Sequence, residues 1–343
     1  MPLNKSQLKL LNLLENDSKN INKLLYYPGP YWGYKAKKIL FWLKKKGLDN
    51  FRGLNSGVGT SYTDNYVEDI RFELGTKGRI VSSLFSLPFL NKIFNKQLDN
   101  NHRHIVGSIK YQGQLLQNSE KVKFLLSKYK IENSTSFGCI RKVNIQNKEY
   151  AIRYISLLER IDYLTSFFNL NKINSLIEIG GGFGSNIHLL IQNFTNIKKI
   201  IYVDIFPNIF VGTEYLRNLF GNSVKDYSTL NHLDEIKFED NNDLEIICIP
   251  NWLLEKVTSK VDKLHNAASF QEMTIEQVEN YKLLVSKILN KNLISLIVYK
   301  SHDSPKHKTL NSDTLKKIFT NCLVEKKFLE THENKNLIYL LSL

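Results

Sequence analysis

What this chain has little of narrows its class. Only three cysteines, Cys139, Cys248 and Cys322, occur in 343 residues, far apart and odd in number. They make neither a disulfide framework nor a spaced metal cluster, and a reducing cytosol suits them. No window approaches the roughly 18 apolar residues needed to span a bilayer. The N-terminus, Met1-Pro-Leu-Asn-Lys-Ser, lacks the basic and apolar regions of a secretory signal. A soluble, cytoplasmic protein is expected. Acid is scarce in one half only: residues 1–150 hold 25 Lys and Arg against 11 Asp and Glu, whereas residues 151–343 hold 22 of each. The whole excess of +14 lies in the first half. A solvated lysine-rich face would account for it, and so would contact with an anion such as a sugar diphosphate, a glycan at an anionic membrane surface, or nucleic acid.

Periodicity divides the chain near residue 150. Leu3, Leu10, Leu14, Ile21 and Leu25 recur at helical spacing. The break Tyr26-Tyr-Pro-Gly-Pro-Tyr-Trp32 follows, and then a basic amphipathic helix from Gly33 to Lys46. Phe51 to Tyr62 reads as a loop, with helices over 64–72, 80–97 and 120–130 and a hairpin near 137–145. Residues 1–150 are thus expected to be a basic, mainly helical region that recognises the acceptor, and 151–343 a second domain. That domain opens with a helix over 150–168 and then alternates strands (175–180, 199–205, 244–249, 261–266, 292–300) with helices. Alternation of this kind implies an α/β fold, a doubly wound, mostly parallel, seven-stranded sheet. Val324–Thr331 and Leu337–Ser342 close it as an antiparallel hairpin.

The chemistry concentrates in Ser175-Leu-Ile-Glu-Ile-Gly-Gly-Gly-Phe-Gly-Ser185, a buried strand that breaks into a glycine turn and a helix. Glycines let a ligand approach the backbone and permit φ values other residues resist. Glu178, inside an apolar strand, needs a partner that offsets its burial. The next strand ends in Asp204, placed to accept hydrogen bonds from ribose hydroxyls. A dinucleotide turn wants its third glycine three residues after the second, but here that place holds Ser185. The spacing Glu-x-Gly-x-Gly-x-Gly, with Asp204 in register, resembles motif I of class I S-adenosylmethionine (SAM)-dependent methyltransferases. This Rossmann-like family also closes with an antiparallel hairpin.

The resemblance implies SAM as cofactor. Glu178, Gly180, Gly182 and Gly184 would surround its methionine end, with Asp204 on the ribose. Asn251 and Trp252, after the third strand, are candidates for the adenine, and Arg153 for the carboxylate. Core packing is the plain alternative for Trp252. Acceptor chemistry belongs past the carboxyl ends of the strands. There the chain has His265-Asn-Ala-Ala-Ser-Phe-Gln-Glu-Met273 and, after the next strand, Ser301-His-Asp303.

With Tyr202-Val-Asp-Ile-Phe-Pro207, Asn266 to Met273, Val278, Tyr281, and more loosely Phe51-Arg52 and Tyr62, the chain resembles the sugar O-methyltransferase family associated with bacterial surface-polysaccharide loci. His265 stands where that family has an apolar residue. The resemblance implies methyl transfer to a sugar hydroxyl, on a nucleotide sugar or a lipid-linked glycan. A hydroxyl needs a base to take its proton: Glu272 first, then His302 and His265, with Asn266 and Gln271 on the substrate. Ser269 and Glu272 also have capping-box spacing, a structural alternative for Glu272. No adjacent Asp pair stands at the fourth strand's end, so no metal is expected. A nucleic-acid (RNA) methyltransferase is the rival enzyme. Against it, Ile249-Pro250-Asn251-Trp252 does not match the motif used on exocyclic amines, and no Pro-Cys dipeptide offers a nucleophile. A non-catalytic SAM-fold binding protein is the third reading.

Overall fold

A computed structural model describes residues 2–21, 24–49, 51–53, 116–139, 142–299, 308–319, 323–330 and 335–342. Contacts divide the chain into two compact units, residues 46–155 and residues 2–45 with 156–343. Residues 2–45 thus group with the sheet rather than with the rest of the basic region. The expected helices at 64–72 and 80–97, with Tyr62, lie outside the described residues.

Helix α1 (Lys5–Lys19) shows why the N-terminus joins the second unit. It buries Leu10, Leu11 and Leu14. Gln7 Nε2 donates to Glu214 at 2.9 Å, and Asp17 accepts from the Tyr227 hydroxyl at 2.7 Å. Helix α2 (Pro30–Lys46) follows the aromatic break, and its Lys44 pairs with Glu15 of α1 at 2.6 Å.

In residues 46–155, helix α3 (Glu120–Lys128) accompanies a small hairpin of β1 (Lys142–Ile145) and β2 (Lys148–Ala151), set slightly later than expected. Its turn residues Gln146 and Asn147 both have positive φ, the conformation a two-residue hairpin requires. Val122, Val143, Ile145, Tyr150 and Ile155 make a core there. Arg52 is fully buried; it donates to the Ser134 carbonyl at 2.6 Å and stacks 5.6 Å from the centre of the Tyr154 ring. One positive charge of the basic half is thus structural.

Helix α4 (Ile152–Thr165) leads to β3 (Ser175–Ile179), α5 (Ser185–Asn193), β4 (Lys199–Asp204), α6 (Asn208–Phe220), β5 (Val224–Lys225) and α7 (Tyr227–Leu230). Then come β6 (Glu245–Pro250), β7 (Val261–Ala267), α8 (Ile275–Ile288), β8 (Leu289–Tyr299), α9 (Ser312–Ile318), β9 (Val324–Glu330) and β10 (Lys335–Leu341). The sheet order is β5-β6-β4-β3-β7-β8-β10-β9. All neighbours are parallel except β8/β10 and β10/β9. This is the doubly wound sheet with an antiparallel C-terminal hairpin that the class I methyltransferase resemblance implies. It has eight strands, not seven, because the two-residue β5 adds an edge. Strands β3 and β6 are buried along their whole length, as parallel strands covered on both faces must be. Among the described residues, no helix is long and apolar enough to cross a membrane.

Leu11 is completely buried. Leu11→Ala is expected to lower stability by about 2–5 kcal/mol, measured by urea unfolding, because the helix cannot collapse into the void it leaves.

Candidate functional site

Strand β3 ends at the glycine turn, where Gly180, Gly182 and Gly184 all have positive φ. A Cβ on Gly180 would lie 2.1 Å from Ser269 Oγ, so this turn is pressed against the segment after β7. Gly181, absent from the motif spacing, is required by space rather than by φ. A Cβ there would come within 3.0 Å of the Glu178 carboxyl carbon and 3.1 Å of the Tyr202 ring. Below the turn, the Tyr202 hydroxyl donates to the Gly182 carbonyl.

Two carboxylates stand at this turn. Glu178 is 2 % exposed. Its Oε1 accepts from Asn186 Nδ2 at 3.2 Å, whereas its Oε2 has no hydrogen-bond partner. Burial pushes its carboxyl up to about 8; the Asn186 bond opposes this and the charge of Asp204 adds to it. Asp204 accepts from the Gly182 amide at 2.9 Å and the Ile205 amide at 2.7 Å. Burial raises it to about 7 against those two bonds and one from Asn208, and the charge of Glu272 raises it further. Asp204 thus braces the glycine turn, and its two oxygens still have acceptor capacity beyond these bonds. An unpartnered carboxylate oxygen in a dry site is costly unless a cation arrives to meet it. Glu178 therefore fits the ammonium end of an amino-acid ligand, and Asp204 fits a diol.

The third carboxylate is Glu272, at the end of the short turn Phe270–Glu272. The capping alternative fails here: Ser269 makes no side-chain cap bond, and the capping box is Thr274 with Gln277, at the start of α8. Glu272 instead accepts from Trp32 Nε1 at 2.6 Å and lies within electrostatic reach of Asp204. Just before it, Ala268 has φ +62°, a left-handed value that a non-glycine residue adopts at a cost.

Other expected site residues are placed differently. Asn266 donates to the Ile179 carbonyl at 2.7 Å and accepts from the Phe270 amide at 3.0 Å, so it ties the ends of β3 and β7 together. Gln271 is 1 % exposed and accepts from the Tyr299 amide at 2.7 Å. Both amides frame the segment, and Gln271 Nε2 is buried without a hydrogen-bond partner. His265 is buried within β7, with Nδ1 2.8 Å from Ser295 Oγ. Burial, with the charges of Lys263 and Arg160, depresses it to about 3. It is a neutral interior residue, not a base aimed at an acceptor. Asn251 donates to the Tyr26 carbonyl at 3.0 Å, and Trp252 is held edge-on to Tyr227. Arg153 lies in the unit of residues 46–155, and His302 lies outside the described residues.

Among the described residues, no group of His, Cys, Asp and Glu is arranged to hold a metal ion. Asn186, Gly181 and Trp32 escaped the sequence reading. Asn186 is recognisable only once α5 is known to turn its first residues back over Glu178, and Trp32 is 240 residues from its partner.

Solved structures similar to the chain include magnesium protoporphyrin IX methyltransferase from Synechocystis PCC 6803 with bound SAM (11% identity, 56% of this chain and 80% of that one, TM-score 0.37). A SAM-dependent methyltransferase from Aquifex aeolicus is similar too (14% identity, 55% and 92%, TM-score 0.35). So is the cyclopropane synthase MmaA2 from Mycobacterium tuberculosis (8% identity, 54% and 82%, TM-score 0.38). No family model and no curated protein matches the chain. At identities and TM-scores this low the likenesses carry no argument, and the case rests on the site's own residues.

Glu178 and Asp204 keep protons in the folded chain above their ordinary values of 4.5 and 3.8. Their favourable contribution is full below those values and is lost as pH rises through about 7 and 8. The ligand-free melting temperature should therefore fall across that range, and Glu178→Gln should flatten the fall; thermal melts against pH check it.

Proposed function

We propose that this protein is a cytoplasmic SAM-dependent O-methyltransferase that acts on a sugar hydroxyl of a nucleotide sugar or lipid-linked glycan. The observation that carries the cofactor is the unpartnered Oε2 of Glu178 beside the glycine turn. SAM supplies a methyl group on a sulfonium centre. Glu178 would hold its ammonium and Asp204 its ribose hydroxyls, beside the positive-φ glycines Gly180, Gly182 and Gly184. Glu272 takes the proton from the acceptor hydroxyl: it stands past the end of β7, within electrostatic reach of Asp204 and oriented by Trp32. The sugar assignment rests on the resemblance of Asn266 to Met273 and on the basic character of residues 1–150, which suits an acceptor bearing phosphate.

Incubation with methyl-labelled SAM and separate pools of nucleotide sugars, extracted glycolipid and RNA is expected to label a sugar pool. Label in RNA alone would overturn the assignment. Glu272→Gln should lower kcat by about 10²- to 10⁴-fold, the usual worth of a general base, while retaining SAM affinity. Calorimetry in two buffers of different ionisation enthalpy should show proton release when SAM binds near neutral pH, because the incoming ammonium ionises Glu178. Glu178→Gln should reduce that release to the share that comes from Asp204.

A further inference from the structure

Residues 24–35 cross the carboxyl ends of the sheet strands and are fastened there at four points. Asn251 Nδ2, after β6, donates to the Tyr26 carbonyl at 3.0 Å. The Tyr26 hydroxyl donates to Glu255 at 2.6 Å, in the turn that follows β6. Gln277 Nε2, in the first turn of α8, donates to the Tyr27 carbonyl at 2.8 Å. The fourth point is the Trp32 indole, which donates to Glu272 Oε2 at 2.6 Å. Lys35, one helical turn further on, is 6 % exposed, and its ammonium lies 5.1 Å from the centre of the Trp32 ring.

We propose that Trp32 and Lys35 are the positioning residues of Glu272: the indole N–H fixes one carboxylate oxygen, and the ammonium resting on the same indole supplies the balancing charge. This rests on the reading of Glu272 as the base. Two residues of α2 would then complete an acceptor site otherwise built from β7 and its following turn.

The chemistry of the pair favours this over a merely structural clasp. Indole has one donor and no acceptor, so its single bond to a carboxylate sets the carboxylate's direction without competing for its proton. A buried ammonium is expensive without a counter-charge. Burial depresses Lys35 to about 8, and the charge of Glu272 works against that depression. Among the described residues, the titratable groups that bear on this place include Glu272 from the turn after β7, Asp204 from the end of β4 within electrostatic reach of Glu272, Tyr281 of α8 within reach of Asp204, and Lys35 itself.

The test needs no acceptor for its first part. With 5-fluorotryptophan incorporated, the three tryptophans give three fluorine resonances, and Trp32→Phe identifies the one of interest. That resonance should titrate with a midpoint near 8 as Lys35 loses its proton. Lys35→Met should remove the transition, and Glu272→Gln should move the midpoint down, because it deletes the charge that holds the proton on. A midpoint unmoved in Glu272→Gln, or a transition that survives in Lys35→Met, overturns the proposal whatever the acceptor is. In the second part, kcat with the labelled acceptor should fall at least tenfold in Trp32→Phe and Lys35→Met at unchanged KM for SAM. Lys35→Arg should restore most of it. Full kcat in Trp32→Phe overturns the positioning role. If the fluorine midpoint shifts but Glu272→Gln transfers methyl at the wild-type rate, the base assignment fails and the geometry between the three residues stands. Melting curves of each variant separate these effects from unfolding.

Discussion

Glu178 is nearly inaccessible to water, sits fourth in the five-residue buried strand β3, and has a hydrogen bond on one oxygen only. Burying such a group is unfavourable, and the surroundings show how the molecule tolerates it. Asn186 at the start of α5 reaches back to it, and the missing side chain of Gly181 leaves its carboxyl carbon room. Asp204, one strand away, ties down the glycine turn through Gly182. The same sheet resolves another buried charge in the opposite manner. Arg160 and Glu330 are 3 % and 0 % exposed and pair at 2.7 Å. Glu330 too has one oxygen without a hydrogen bond, but it faces a cation; Glu178, where the glycine turn meets the sheet, has only the Asn186 amide, and such placement marks ligand chemistry.

How much of this was readable beforehand follows from how local each signal is. The run of Ser175 to Ser185 contains a strand, a turn and a helix start within one short stretch, so its spacing sufficed to locate Glu178 and the glycines. Asp204 followed from the next apolar run, and the closing hairpin from alternation in β9 and β10. Glycine positions that matter for φ were visible in the motif, but Gly181, which matters for room, was hidden until Tyr202 and Glu178 were seen beside it.

The errors have a common origin in partners far away along the chain. Capping-box spacing between Ser269 and Glu272 is a local pattern, but the true box begins at Thr274, and Glu272 turns to a tryptophan of the N-terminal segment. His265 and Asn266 look chemical in a list of polar residues. In the sheet, the first meets Ser295 of β8 and the second bridges β3 to its own following turn. The division of the chain near 150 rested on charge and composition. Neither property reveals that Leu10, Leu11 and Leu14 are buried within the unit that holds the sheet.

The fastening of residues 24–35 to the strand ends also bears on the order in which the molecule can be made. Tyr26, Tyr27 and Trp32 precede their partners Glu255, Gln277 and Glu272 by 229, 250 and 240 residues. Contacts of such long separation form late, because the chain between them must first be ordered. The aromatic segment is therefore synthesised well before the residues that fasten it, and its contacts close late in folding. Assembly of this site joins two segments that are translated far apart.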